Sequence, residues 1–103
     1  MKKIMFSKEY EKKLRKGSKT STVRLGKRKF SVGEVVELVV NNKPIAKAMV
    51  TRVEYLKVKD LTDEQAKKDG FTSRNKLLKA LKKHYPKIKD DSVVALIEFK
   101  KIE

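Results

Sequence analysis

Apolar and polar positions along the chain change period several times, and each change predicts an element. K-I-M-F, from Lys3 to Phe6, has the length of a short strand. Ser7 then stands where a helix N-cap belongs, before Lys8 to Lys16, in which Tyr10 and Leu14 lie four apart on one face. Gly17 predicts the stop, because a left-handed C-terminal cap suits glycine, and the lysines before it complement the helix dipole. Ser21 to Leu25 alternates like a half-buried strand, with Val23 and Leu25 on one face and Thr20, Thr22 and Arg24 on the other. Gly26 to Lys29 predicts a turn, and Ser31-Val32-Gly33 leads into a strand from Glu34 to Val40. Asn41-Asn42 is a turn signal before Pro44, which suits a strand start or edge.

Ile45 to Val58 reads as one long, bent strand whose interrupted alternation predicts a bulge. Thr62 and Gln65 have the spacing of a capping box opening a short helix that Gly70 closes. A second helix is expected from about Ser73 to His84, capped by Thr72, with Leu77, Leu78, Leu81 and Tyr85 buried and Lys76, Lys79, Lys82 and Lys83 largely away from that stripe. Pro86 ends it, and Ser92 to Lys100 is a mostly apolar final strand. This order predicts an α+β fold: a mixed or antiparallel sheet curling into a small barrel, with about three helices packed at its ends. At 103 residues, one domain over positions 1–103 is expected.

Composition narrows the chemistry. The chain has no cysteine and one histidine, His84, so no disulfide framework, cysteine nucleophile or metal site is expected, and no cofactor is implied. No apolar run approaches the length of a membrane span and the start lacks the apolar stretch of a signal peptide, which predicts a cytoplasmic protein without membrane association. A monomer is expected. The formal net charge of +15 predicts attraction to polyanions, above all nucleic acid. Lysine-rich surfaces also occur in proteins from hot environments. Here the excess is one-sided, 28 basic against 13 acidic residues, whereas ion-pair networks call for better balance.

Five blocks carry a resemblance: F-S-K-E-Y near the start, G-S-K-T-S-T-V-R at Gly17 to Arg24, V-G-E-V-V at Val32 to Val36, L-T-D-E-Q-A-K-K-D-G-F at Leu61 to Phe71, and V-A-L-I-E-F at Val94 to Phe99. In this order they resemble the ASCH family, small proteins whose barrel is similar to that of the PUA domains. The resemblance implies a cleft beside Lys19 to Arg24 that holds RNA or a nucleoside. Some small bacterial members are amidohydrolases that deacetylate N4-acetylcytidine with a lysine, a threonine and a glutamate. Carried over by motif, these fall on Lys19, Thr22 and Asp69. Aspartate in place of glutamate sets the carboxylate back by about 1.5 Å, so an Asp69→Glu change is expected to keep or raise turnover. Other members have been linked to RNA cleavage or to transcription coactivators.

Each site residue also has a plain structural reading. Lys19 is either a desolvated lysine that takes a proton from a hydroxyl nucleophile or an exposed residue after a helix cap. Its parity is opposite to that of Thr22, so the segment after Gly17 must be irregular if the two are to meet. Thr22 suits a pleated surface, and Arg24 offers either a fork for a phosphate or base or an ion pair with Glu34 or Glu37. Asp69 stands against the dipole at a helix C-terminus and calls for a compensating lysine or a function, although Asp-Gly is also a common turn pair. Lys27, Arg28 and Lys29 form a basic turn that can contact phosphates at the mouth of the same cleft, or simply be solvated. Tyr10, Tyr55, Phe71 and Tyr85 are candidates for base stacking or for packing, and His84 for a helix-end cap. Three functions follow: an RNA- or nucleotide-binding module using Lys19, Thr20, Thr22, Arg24 and Lys27 to Lys29; an amidohydrolase using Lys19, Thr22 and Asp69; and a ribonuclease, which the lack of a histidine pair supports least.

Overall fold

Alternating and fully apolar runs become strands according to how many of their faces are covered. The structure, a computed structural model, describes residues 1–102. The strands are β1 (Lys2–Phe6), β2 (Ser21–Leu25), β3 (Val35–Val40), β4 (Lys43–Lys57) and β5 (Val93–Lys101). The helices are α1 (Glu11–Lys16), α2 (Asp63–Lys68) and α3 (Arg74–His84), with single 3-10 turns at Lys8–Tyr10 and Val58–Asp60. The strands form one sheet in the order β1-β3-β4-β5-β2. Only β1 and β3 run parallel; the other neighbours are antiparallel. The result is a mixed half-barrel, open between its two edge strands β1 and β2.

The central strand β5 shows why its sequence is apolar on both parities. Ala95, Ile97 and Phe99 enter one core with Ile4, Phe6, Leu14, Leu38 and Val50. Val94 and Leu96 face the opposite way, against Val23, Leu61, Ala66, Leu77 and Leu81. A strand covered on both faces has no solvent side on which to place polar residues. α1 closes the first core through Leu14, and α2 and α3 cover the second.

Turn chemistry agrees with the sequence where β3 reverses into β4. Asn41 and Asn42 both take positive φ, 50° and 63°, in the two-residue link from β3 to β4, a conformation asparagine tolerates. The expected bulge in β4 is a register shift between Val50 and Arg52, and a second shift lies at Leu38/Val39, opposite the segment holding Pro44. Thr62 and Gln65 form both halves of the capping box.

Two caps differ from expectation. α3 is capped by Ser73, whose hydroxyl accepts from Lys76 N, and not by Thr72. Ser7 makes no side-chain cap, because the chain enters α1 through a 3-10 turn whose first bond is Tyr10 N to Ser7 O. No helix among the described residues is long and apolar enough to cross a membrane.

Candidate functional site

The gap between β1 and β2 contains a cavity of about 280 Å³. Thr22 pairs across the sheet with Ile97, a member of the first core, so β2 directs Thr22 to the inside of the half-barrel. Arg24 lies on the same face one step on and bridges the open edges. Its Nη2 donates to Met5 O of β1 at 2.6 Å and its Nε donates to Thr22 Oγ1 at 2.8 Å. Its guanidinium also sits 5.0 Å from the Phe6 ring.

Lys19 reaches the cavity because the chain between α1 and β2 is irregular. Gly17 takes φ 80° as the C-cap of α1, and the backbone N–H groups of Ser18 and Lys19 both donate to Lys13 O. Strand alternation starts only at Ser21, so Lys19 escapes the parity that would have separated it from Thr22. The Lys19 ammonium donates to the Asp69 carbonyl at 2.9 Å and to Asp69 Oδ1. Three rings surround it, Tyr10 at 4.9 Å, Phe6 at 5.7 Å and Phe71 at 5.8 Å, each offering a π-face to the charge.

Asp69 is the C-cap of α2, and Gly70 at φ 91° then turns the chain into Phe71. The compensating lysine that the helix dipole demands is Lys19. The shorter acid does reach its partner, since backbone and side chain of the same residue both hold the ammonium. Gly70 has two reasons to be glycine: its φ, and a Cβ there would lie 3.4 Å from Lys19 Cβ and 3.3 Å from Lys13 Cδ. Gly70→Ala is therefore expected to cost about 1 kcal/mol or more, chiefly through the positive φ, and to shift the Lys13 side chain, whose Cδ would lie 3.3 Å from the new Cβ. Thermal unfolding and the Lys13 side-chain NMR signals test this; an unchanged Tm with unchanged signals would count against it.

Burial dominates the electrostatics. Lys19 is 4% exposed and Asp69 3%, so removal from water penalises both charges and each group moves toward its neutral form. Desolvation lifts Asp69 to about 6, with the Lys19 ammonium opposing the rise. Desolvation lowers Lys19, with Asp69 opposing and Arg24 and Lys13 assisting. The pair thus stands nearer to sharing a proton than a surface ion pair does. Burial also pushes the Tyr10 phenol up to about 12, which keeps its hydroxyl protonated. A buried pair of this kind gains little stability over apolar residues of the same shape, so its presence in a cavity points to function.

The structure brings Lys19, Thr22, Arg24 and Asp69 to one cavity, together with Tyr10, Phe71 and Tyr85. Arg24 makes none of the expected ion pairs with Glu34 or Glu37; its partners are Thr22 and Met5. Thr20 departs from the group. It precedes the strand, its backbone is tied to Lys68 O and Phe99 N, and it borders a separate hollow on the far side of Lys19, by Leu14 and Phe99. Lys27, Arg28 and Lys29 do not line the cavity. Their turn is exposed, and its backbone carbonyls take the Tyr55 hydroxyl at Arg28 and the Lys2 ammonium at Lys29. Burial lowers the pKa of Arg24, and Arg28 is still near enough to assist. Tyr55 is likewise outside the cavity.

Two residues to which the sequence reading gave no part in the pocket, Phe6 and His84, also line it. Phe6 is the ring shared by Lys19 and Arg24; its place in an apolar strand gives no sign of this. His84, read as a helix-end cap, turns toward the cavity, with Nε2 3.3 Å from the Tyr10 hydroxyl.

An α+β half-barrel with a cationic cavity in the gap between its edge strands is the class this geometry defines. Its family follows from the sequence: the model of the ASCH domain matches residues 2–103, and the chain belongs to that family. Among solved structures, the ASCH domain from Lactobacillus crispatus JV V101 is similar at a TM-score of 0.75 and 19% identity, over 87% of this chain and 68% of that one. A protein from Enterococcus faecalis V583 is similar at 0.70 and 15% identity, over 88% and 68% of the two chains. The hypothetical protein PH0355 aligns at 0.74 and 21% identity over 99% of this chain and 100% of its own. At these identities the likeness speaks for the fold alone. No curated protein matches the chain.

Proposed function

We propose that the cavity between β1 and β2 receives a single nucleobase, presented by RNA or as a nucleoside. The observation that carries this reading is the buried Lys19–Asp69 pair, set beside Arg24 in a cavity walled by Tyr10, Phe71 and Tyr85. A base needs a flat apolar wall and a few fixed polar groups on its edge. Here the rings supply the wall, Arg24 and Lys19 supply donors, and Asp69 supplies an acceptor or, when protonated, a donor. Membership of the ASCH family and the net charge of +15 support RNA as the source of the base.

Titration with cytidine and with N4-acetylcytidine, followed by NMR, tests the reading. Shifts are expected at Thr22, Arg24 and Phe71, and Arg24→Ala is expected to weaken binding about tenfold, the scale of one charge-assisted contact. Shifts confined to the Lys27 to Lys29 turn would move the site out of the cavity.

A second reading, hydrolysis of an acylated exocyclic amine, is favoured by one further observation: Thr22, Lys19 and Asp69 are all buried against the same cavity. With the proton of the pair resting on Asp69, Lys19 is the neutral amine and takes the Thr22 hydroxyl proton as Oγ1 bonds to the acyl carbon. The Arg24 Nε–H, already donating to Thr22 Oγ1, stabilises the oxygen as it loses its proton. Collapse of the tetrahedral intermediate breaks the C–N bond, and the Lys19–Asp69 pair returns the proton to the leaving amine. Water then hydrolyses the threonyl ester. The ribonuclease alternative has no such support.

A further inference from the structure

The proposed base pocket leaves unexplained a one-sided stretch of the chain beside it. From Phe71 to Lys89 there are seven lysines or arginines and no aspartate or glutamate. α3 occupies its centre and is the only helix of the three without an acidic residue; α1 carries Glu11, paired with Arg15, and α2 carries Asp63 and Glu64. Helices on protein surfaces ordinarily mix signs, since like charges one turn apart repel by a few tenths of a kcal/mol. Among the described residues, α3 keeps that repulsion and no ion pair offsets it. Among the described residues, Lys76, Lys79 and Lys83 have neither a hydrogen-bonded nor an ion-paired side-chain partner, and all three are exposed.

Their position relative to the cavity gives the row its meaning. Ala80 lines the cavity. On an α-helix its neighbours on the same side are the residues four before and three after, Lys76 and Lys83. Lys79 stands beside them, three after Lys76 and four before Lys83. The cavity rim at Ala80 is therefore flanked by one ammonium a turn earlier and one a turn later. From Lys76 to Lys83 is about 10 Å of helix axis. This length suits the backbone on either side of one nucleotide better than it suits the nucleotide itself. The small side chain of Ala80 lets a ribose approach the helix between the two charges.

We infer that the Lys76–Lys79–Lys83 face of α3 holds the phosphates flanking the nucleotide whose base enters the cavity, so that the partner is single-stranded RNA rather than a free nucleoside. The inference rests on the base-pocket reading and adds to it the form in which the base arrives. Single strands suit the geometry, because a base enters a closed pocket only when it is not paired.

The test compares the intact protein with a Lys76→Ala/Lys79→Ala/Lys83→Ala variant, in which alanine favours the helix and no packing is lost. As a control for charge alone, Lys3, Lys43 and Lys100, exposed on β1, β4 and β5, are replaced by alanine. Affinity for a short oligocytidine RNA is followed by fluorescence anisotropy between about 50 and 200 mM salt, and cytidine binding by NMR. Each lost phosphate contact lowers the slope of log K against log salt by about 0.7 for a single strand, so the α3 variant is expected to lose about 2 from the slope. Its cytidine affinity stays unchanged, and the control variant keeps the wild-type slope. A full slope in the α3 variant, an equal loss in the control, or adsorption to anionic vesicles that is lost in place of RNA binding would each overturn the inference. In those cases unchanged cytidine binding leaves the base pocket standing. Loss of cytidine binding from the unmodified protein removes the pocket reading itself.

Discussion

Lys19→Met is expected to destabilise the fold by about 3–5 kcal/mol at neutral pH, while Lys19→Met/Asp69→Leu loses far less. The single change leaves a carboxylate at 3% exposure with its main cation gone; the double change leaves an apolar contact among Phe6, Tyr10 and Phe71, the rings that now surround the ammonium. The deficit of the single variant depends on pH with a definite sign. In the native protein Asp69 stands at about 6, above its ordinary 3.8, and the Lys19 ammonium is what restrains the rise. Without Lys19 the value climbs further. An acid whose folded pKa exceeds its unfolded pKa binds protons more tightly when folded, so its favourable contribution is complete below 3.8 and is lost as pH rises through the folded value. Acidification therefore rescues Lys19→Met, the reverse of ordinary acid denaturation. Urea unfolding near pH 5 and near pH 7.5 measures it. Equal deficits at the two pH values, or a double variant as unstable as the sum of the singles, would show that the pair contributes no buried charge.

The second large effect belongs to the hydrolytic reading. Thr22→Ala is expected to reduce turnover of N4-acetylcytidine by about a thousandfold or more, and Thr22→Ala/Lys19→Ala to be scarcely worse, because nucleophile and base act as a unit. Thr22→Ser keeps the hydroxyl and retains most of the rate. Activity is normalised to the folded fraction, since Lys19 also affects stability. Asp69→Glu now carries a different expectation from the one the resemblance implies. The aspartate already holds Lys19 through both its carboxylate and its carbonyl, so an added methylene has no gap to close and displaces the ammonium. A shift of ~1 Å in a reacting group costs about a hundredfold, and a loss of that order is the expected result. Turnover that survives Thr22→Ala would exclude threonine as the nucleophile; a rate gain in Asp69→Glu would show that the carboxylate, not its contact with Lys19, limits the reaction.

Local signals in the sequence were sufficient wherever the cause was itself local. Gly17, Asn41-Asn42 and the Thr62/Gln65 capping box each depend on the conformational range or hydrogen-bonding reach of residues within one turn, and the structure has them where the pattern places them. β5 was legible because an apolar run of both parities has few alternatives to a strand covered on two faces. The caps at Ser7 and Thr72 differ for separate reasons: a 3-10 turn intervenes between Ser7 and α1, and adjacent Thr72 and Ser73 are near-equivalent caps, of which Ser73 makes the bond.

For the site, residue type and motif picked out Lys19, Thr22, Arg24 and Asp69, but could not decide between a pocket and a solvated strand edge. That decision needs contacts between residues far apart in the chain. Lys19 and Asp69 are 50 residues apart, and they meet because the turn after α1 and the C-terminus of α2 pack against each other, with Thr20 N bonded to Lys68 O. Phe6 and His84 entered the site the same way, from β1 and α3, since the cavity exists only where the half-barrel stays open between β1 and β2. Thr20 left it, and Lys27 to Lys29 stayed outside its walls, because alternation governs a residue only inside a strand, while a turn follows the backbone hydrogen bonds that anchor it. Sequence chemistry thus selected the groups able to carry charge and donate protons. Burial, which raises Asp69 and lowers Lys19 by removing both from water, was set by tertiary packing alone.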